Sequence, residues 1–141
     1  LSTSKKAYFS TRFKLSDATQ SDMLIGLTIT DTTAIDGVTD GVFFGKDDGD
    51  TNLDFVVEKD STETEDAGIH TMEDDTFVTA TFFIDPDRAA VYYSINNAAP
   101  VKVANTNLPD DEELTVTLAI QAGAAAAKSL TVDYVTAMIE R

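Results

Sequence analysis

Residues 76–103 constrain the fold most, because apolar and polar side chains alternate there along consecutive segments. The apolar positions of the first segment are Val78, Ala80, Phe82 and Ile84, and those of the second are Ala89, Val91, Tyr93 and Ile95. Such a period of two is typical of a strand with one buried face. Pro86 and the pair Asn96-Asn97 supply turn residues after each segment. The pattern predicts a three-stranded antiparallel meander that ends at Val103.

The same alternation recurs along the rest of the chain. It is clearest in residues 7–15, 23–30, 53–58, 114–120 and 129–141. In the last of these segments the period of two predicts a shared face for Leu130, Val132, Tyr134 and Met138. Gly26 lies inside the second segment, which indicates a bend, a bulge or a close backbone neighbour. Residues 59–66 read as a polar, acidic turn that leads into a weak edge strand through His70.

One segment has a composition that favours helix. Residues 121–128 contain four consecutive alanines, but Gly123 interrupts them and the segment is short, so we predict a loop. The chain then has nine or ten strands, no helix, no repeat and no linker. This combination predicts an all-β fold, an antiparallel two-sheet jelly-roll sandwich forming a single domain over residues 1–141. Residues 1–6 are expected to be a flexible arm or the remnant of a longer N-terminal segment.

The charge balance excludes several classes of function. The 141 residues contain 25 Asp and Glu against 10 Lys and Arg, a net charge of −15. The few basic residues are scattered, so no phosphate-binding surface for nucleic acid or for an anionic membrane is expected. The sequence has no Cys, which excludes disulfides, thiolate catalysis and cysteine-based metal sites. No apolar run approaches the roughly 20 residues of a membrane helix.

An acidic loop at residues 47–54 offers the best pattern for a cation. Its oxygen-bearing side chains at alternate positions are those of Asp48, Asp50 and Asn52, as at the start of an EF-hand loop. Leu53 stands where the sharp-turn Gly of that motif belongs, and Lys59 stands where its bidentate Glu belongs. An EF-hand is therefore excluded. A looser surface Ca²⁺ site is the alternative to a bare hairpin turn around Gly49, which we favour, so no metal or cofactor is predicted.

No constellation of residues predicts catalysis. His70 is the single histidine, and no nucleophile motif accompanies it. The nearest carboxylate pair for glycoside hydrolysis is Glu63 with Glu65 and Asp66, in a chain without Trp to stack on a sugar. With so many acidic residues, close pairs arise by chance. We predict no catalytic residue and a protein that is not an enzyme.

Two groups of residues are candidates for an interface. The basic group near the start of the chain comprises Lys5, Lys6, Arg12 and Lys14. The aromatic group, on the faces opposite the predicted core, comprises Tyr8, Phe83 and Tyr92. Exposed aromatic side chains often anchor protein interfaces, although loops or the second sheet could equally cover them.

Four stretches resemble a known family. These are YFSTRFKLSDATQSDMLIGL, DGVFFGKDDG, FFIDPDRAAVYYSINN and LTVDYVTAMIER, which together extend over nearly the whole chain. They look like a family of tailed-phage virion proteins that have a concanavalin-A-like or laminin-G-like jelly roll. The resemblance implies a lectin-like fold and a non-enzymatic capsid decoration (cement) role on the outer surface of a phage head. It also implies the major capsid protein as partner and a homo-oligomer, either dimer or trimer.

The alternative function is a carbohydrate-binding, lectin-like module that attaches to cell-surface glycans. It predicts a concave face that carries Tyr92 or Tyr93 with Asn96 and Asn97, with Ca²⁺ at the acidic loop. The absence of Trp argues against this alternative, and fold by itself does not establish function. A glycoside hydrolase is a third hypothesis, which needs two carboxylates in a cleft.

Overall fold

The computed structural model describes residues 5–31, 33–35 and 37–141, in which ten β-strands and one 3-10 turn are found. The first five strands are β1 (Ala7–Leu15), β2 (Ser21–Thr28), β3 (Gly41–Lys46), β4 (Asn52–Lys59) and β5 (Thr62–Thr71). The other five are β6 (Val78–Asp85), β7 (Ala90–Ile95), β8 (Val101–Ala104), β9 (Thr115–Ala122) and β10 (Leu130–Ile139). No helix in the described part of the chain is long and apolar enough to cross a membrane.

The strands form two five-stranded antiparallel sheets. Sheet A has the order β10-β1-β6-β7-β8, and sheet B has the order β5-β4-β3-β2-β9. The predicted all-β, two-sheet sandwich is therefore confirmed. Neighbours within each sheet pair antiparallel throughout. The two strands that come last in the chain, β9 and β10, form edges of different sheets.

A cluster of aromatic rings fills the space between the sheets. Phe9 and Phe82 of sheet A stack with their centroids 4.9 Å apart, and the Phe82 ring lies 6.0 Å from Phe44 and 5.8 Å from Phe55 of sheet B. All four side chains are fully buried. Offset and tilted ring pairs at these distances add specific attraction to the hydrophobic gain from burial. The alternation of the sequence therefore sends its largest apolar side chains into one core.

The predicted meander is present as β6, β7 and β8. The first turn contains the 3-10 segment Pro86–Arg88 and ends at Ala89, whose φ is 45°. The second turn contains Asn96 and Asn97 with φ of 51° and 60°, a conformation that asparagine tolerates better than most residues. The β6 strand lies at the centre of sheet A, whereas β8 lies at its edge.

Two sequence predictions were wrong in detail. The polar turn predicted for residues 59–66 is mostly β5, a ten-residue edge strand of sheet B. In β10 the predicted common face is broken by a register shift, since Arg12 lies opposite Tyr134 whereas Phe13 lies opposite Val132. The extra residue at this β-bulge reverses the alternation. Leu130 and Val132 pack on the core, while Tyr134 and Met138 are exposed.

Gly26 is a point of close backbone approach, as the sequence indicated. It pairs with Phe43 on the neighbouring strand, and a Cβ atom placed on Gly26 would lie 2.5 Å from the Phe43 Cα atom. Such a distance is far inside van der Waals contact, so only glycine fits between these two strands.

The start of the described chain is joined to its end. The backbone N–H of Glu140 donates to the carbonyl oxygen of Lys6 at 2.9 Å, and the Lys6 backbone N–H donates to the Glu140 carboxylate at 3.2 Å. Residues 1–4 of the predicted N-terminal arm lie outside the described residues.

Candidate functional site

The three aromatic residues of the predicted interface form one row across the outer face of sheet A, which we call the aromatic row. Tyr8 lies directly opposite Phe83, and Phe83 lies directly opposite Tyr92. Met138 and Lys102 continue the row at its two ends. Directly opposed side chains in neighbouring strands are about 5 Å apart, so the rings form a continuous apolar strip.

The aromatic row forms the floor of a shallow concavity of about 430 Å³ on the protein surface. Its rim includes Thr81, Arg88, Ser94 and Pro100. The three aromatic side chains are half-buried, so part of each ring is exposed to solvent while the rest is fixed by packing. A fixed apolar floor with a polar rim is the arrangement found at protein interfaces.

An ion pair between a buried carboxylate and an exposed guanidinium flanks this concavity. Asp85 has only 3% of its side chain exposed, and its Oδ2 atom accepts from the Arg88 guanidinium at 2.9 Å. Its Oδ1 atom is buried and has no hydrogen-bond partner in the structure. The pair holds Arg88 at the rim, because without Arg88 the buried carboxylate of Asp85 would have no counter-charge.

The basic residues predicted for the interface are paired within the chain. Lys6 contacts Asp87 at 2.8 Å, Arg12 contacts Asp133 at 2.7 Å and Lys14 contacts Asp75 at 3.0 Å. The hydrogen bond and charge of Asp87 raise the pKa of Lys6. Arg12 also covers the Phe77 ring at 4.0 Å, a cation–π geometry. The charges of Lys6, Arg12 and Lys14 are therefore neutralised by aspartates, and Lys5 is half-buried at the chain start.

The outer face of sheet B has a different character. It contains a groove of about 390 Å³ whose apolar floor includes Phe43 and Val56. The carboxylates that line it belong to Asp47, Asp54, Glu58, Glu63 and Glu65. Burial, with added repulsion from neighbouring carboxylates, raises the pKa values of Asp54, Glu58 and Glu65. We call this feature the acidic groove.

The two outer faces thus differ in charge. Outward positions of β2, β4 and β5 carry the carboxylates of Asp22, Asp54, Glu58, Glu63 and Glu65. No Lys or Arg shares the outward positions of these described strands with them. Outward positions of sheet A carry Arg12, Lys14 and Lys102, and aspartates pair with the first two of these. The outer face of sheet B is therefore acidic, whereas that of sheet A carries charges of both signs.

A lysine lies beneath the acidic loop at residues 47–54, the candidate calcium site. Lys46 is buried, and its Nζ atom donates to the carbonyl oxygens of Asp47 at 2.6 Å and Asp50 at 2.9 Å. Burial lowers the pKa of Lys46, while the surrounding aspartates oppose that shift. The Asp50 carboxylate accepts from the Asn52 backbone N–H at 2.7 Å, as in a bare hairpin turn.

The Asp48 side chain packs against a different segment of the chain, since its carboxylate lies against Gly123. Among the described residues no group of three or more His, Cys, Asp or Glu side chains could hold a metal ion. The loose calcium site at Asp48, Asp50 and Asn52 stays a prediction.

The residues considered for catalysis do not form one site. Glu63 and Glu65 point into the acidic groove, whereas Asp66 points inward and accepts a 2.6 Å hydrogen bond from the Tyr93 hydroxyl. Burial, together with this hydrogen bond, raises the pKa of Tyr93 to about 12. His70 lies on β5 opposite Leu53 and lines a separate, smaller depression. Of the two tyrosines considered for a sugar-binding face, Tyr92 lies on the outer face of sheet A and Tyr93 faces the core.

Some residues of these surfaces were not singled out in the sequence. Arg88 and Lys102 reach the aromatic row, and Asp54 and Glu58 line the acidic groove. The outward positions of Lys102, Asp54 and Glu58 follow from the same strand alternation that places Phe83, whereas Arg88 lies in the 3-10 turn after β6. The alternation does not show which strands lie next to each other in a sheet.

Comparison with solved structures identifies the fold class. A protein of unknown function from Shewanella oneidensis MR-1 superposes with a TM-score of 0.66 at 14% identity, covering 96% of this chain and 58% of its own. Chicken galectin 2 gives 0.57 at 10% identity, covering 94% and 89%. Alginate lyase from Pseudomonas aeruginosa gives 0.62 at 10% identity, covering 98% and 66%.

The chain is therefore an all-β, lectin-like jelly-roll sandwich. It spans little more than half of the Shewanella protein that it matches. No protein-family profile and no curated protein sequence matches it. Since both a galectin and a lyase have this fold, the fold is compatible with carbohydrate binding and with catalysis.

Proposed function

We propose that the chain is a non-enzymatic structural protein of a tailed-phage virion, which decorates the capsid and docks on the major capsid protein through the aromatic row. The observation that carries this proposal is the alignment of Tyr8, Phe83 and Tyr92 across three neighbouring strands. Aromatic side chains at the centre of an interface supply much of its binding energy. The resemblance of the sequence to phage virion proteins supports the location on the capsid surface.

The difference in charge between the two faces supports the same orientation. The acidic groove faces away from the aromatic row, so it would lie on the solvent side of a docked molecule. There its carboxylates would repel other acidic molecules. The basic residues around the aromatic row are held in pairs with aspartates. The docking face is therefore close to neutral, and its contact rests on apolar burial.

Purified virions provide the first test. They should contain this protein in a fixed stoichiometric ratio to the major capsid protein, and virions that lack it should lose integrity at lower temperature or lower salt. A copy number of only a few per particle would contradict the proposal and indicate the tail.

Variants locate the docking surface. The double variant Phe83→Ala, Tyr92→Ala should weaken binding to stripped capsids by roughly several hundred-fold, because each central aromatic typically contributes about 2 kcal/mol and the two together about 4 kcal/mol. The matched control is Glu63→Ala, Glu65→Ala on the opposite face, which should bind as the wild type does. Equal binding by both double variants would exclude the aromatic row.

Carbohydrate binding is the second candidate, and the acidic groove is the observation that favours it. Sugar hydroxyls donate hydrogen bonds to carboxylates, and Phe43 and Val56 provide an apolar floor. The density of carboxylates favours neutral sugars over anionic polysaccharides. A broad glycan array tests this function, and Glu58→Ala should abolish any binding seen. Loss of binding with a chelator would assign it to calcium at the acidic loop, and a silent array would count against it.

A further inference from the structure

One side of the sandwich is open between its two sheets. The edge strands β9 and β10 lie together there, and their inward-facing residues remain exposed: Val116 by 39%, Leu118 by 41% and Ile139 by 57%. These side chains pair with the core-facing residues of the next strands, so their faces are those of the core. Between them lies an apolar cleft of about 320 Å³. We call this feature the open edge.

The opposite side of the sandwich is closed. There the Tyr93 hydroxyl of sheet A reaches the Asp66 carboxylate of sheet B at 2.6 Å, and the Asn107 side chain donates to Thr64 at 3.0 Å. Leu108, in the loop after β8, is buried against the core. The contrast shows that side chains bridge the two sheets at one edge, where Val101 alone of the described large inward-facing apolar residues is exposed, whereas several such residues are exposed at the other.

The strands of the open edge also lack the charges that protect a free edge. The eight residues of β9 include no charged side chain, and the ten residues of β10 include one, Asp133, which is paired with Arg12. By contrast, the other free edge of sheet B is β5, which carries Glu63, Glu65 and Asp66. An edge strand that is long, apolar and uncharged is a template for pairing with another strand.

We propose that the open edge is the interface of a symmetric homodimer. A two-fold axis perpendicular to the sheets places β9 against the partner's β9, and β10 against the partner's β10, in antiparallel pairs. Both sheets then continue from one copy into the other, and the two clefts face each other. Val116, Leu118 and Ile139 of each copy become buried among their symmetry mates.

The charge of the chain favours a second copy of the same chain as the partner at the open edge. Two molecules with a net charge of −15 repel each other at their acidic surfaces, whereas the strands of the open edge carry a single charge, which is paired, so that two copies can approach there. Strands β9 and β10 line the apolar cleft, and they also carry the exposed apolar side chains that can fill the cleft of a second copy. The open edge is therefore complementary to itself.

The size of the open edge is adequate for a stable dimer. A ten-residue strand is about 34 Å long and two packed sheets with their side chains are about 20 Å thick, which gives roughly 700 Å² per copy. A standard interface buries about 800 Å² per partner. The estimate is therefore close to the area that specific dimers use.

Sedimentation equilibrium over a wide concentration range tests the proposal. The wild type should give twice the monomer mass of 15.2 kDa. The double variant Val116→Lys, Ile139→Lys should give the monomer mass, because lysine remains solvated only while the edge is free. The matched control is Val101→Lys, an inward-facing and 43% exposed valine on the opposite edge of sheet A, which should remain dimeric.

Hydrogen exchange shows whether the double variant still folds. The amides of β9 and β10 should be protected in the wild type and more exposed in the double variant, whereas those of β6 and β7 should be equally protected in both. A monomeric wild type, a trimeric mass or an unchanged double variant would overturn the proposal. The open edge is distinct from the aromatic row, so this test does not depend on whether the capsid assay succeeds.

Discussion

Gly26→Ala tests the central packing argument of sheet B, with Gly45→Ala as its matched control. A methyl group on Gly26 would lie 2.5 Å from the Phe43 Cα atom and 2.5 Å from the Val42 carbonyl oxygen. Both atoms belong to the backbone of the neighbouring strand and cannot rotate away. A methyl group on Gly45 meets only the Phe43 ring, at 3.6 Å, which is ordinary contact.

The magnitude follows from the strand separation. Relieving the overlap at Gly26 requires β2 and β3 to separate by about 1 Å, which lengthens N–H···O bonds of about 2.9 Å beyond useful range. Losing two or three such bonds, at about 1 kcal/mol each, gives a destabilisation of about 3 kcal/mol. For a domain of this size that corresponds to a melting temperature lower by about 10 °C. Gly45→Ala should raise stability by about 0.5 kcal/mol through its smaller loss of backbone entropy.

Thermal and urea unfolding of both variants measure these effects. The expected result is a large loss for Gly26→Ala and a small gain for Gly45→Ala. If the two variants lost stability equally, the effect would belong to glycine replacement in general. A Gly26→Ala melting temperature within 2 °C of the wild type, well below the effect estimated above, would refute the close approach of the two strands.

Two further predictions concern the ionisable groups. Because the pKa of Glu58 is raised on folding, its charged form costs stability once the pH exceeds the unfolded pKa of about 4.3. Glu58→Gln should therefore stabilise the protein by about 0.5 kcal/mol at pH 7, with the gain lost below about pH 4, and an equal gain at both pH values would contradict this cause. Tyr93→Phe removes the hydrogen bond to Asp66 and should cost about 1–2 kcal/mol in unfolding, whereas Tyr92→Phe should cost little. Equal costs for the two tyrosine variants would mean that the inter-sheet bond adds nothing.

The sequence was most informative where one face of a strand is apolar. The alternation places Phe82 and Tyr93 in the core and Phe83 and Tyr92 on the outside, because burial imposes a period of two on such strands. The first half of β5 reads as a turn, and only its second half as a weak edge strand, because charged and polar residues stand on both of its faces. In β10 a single extra residue at the bulge reversed the faces of Tyr134 and Met138, and periodicity alone does not locate such an insertion.

The candidate site depended on information that alternation does not contain. The sequence predicted that Tyr8, Phe83 and Tyr92 face outward, but their common row depends on strand order and register across 84 residues of chain. The pairing of Arg12 with Asp133 likewise joins residues 121 positions apart. The inward position of Lys46 is not indicated by the sequence, since a lysine that points inward is unusual unless backbone carbonyls satisfy it.

The unequal charge of the two outer faces gives the sandwich an electric dipole perpendicular to its sheets. In an external field such a molecule experiences a torque before it makes any contact. Near a negatively charged surface it turns the acidic groove away and presents the aromatic row. Raising the salt concentration shortens the range of this torque to about 8 Å at physiological ionic strength. The arrangement of carboxylates on sheet B therefore determines which way the opposite sheet faces when the molecule arrives.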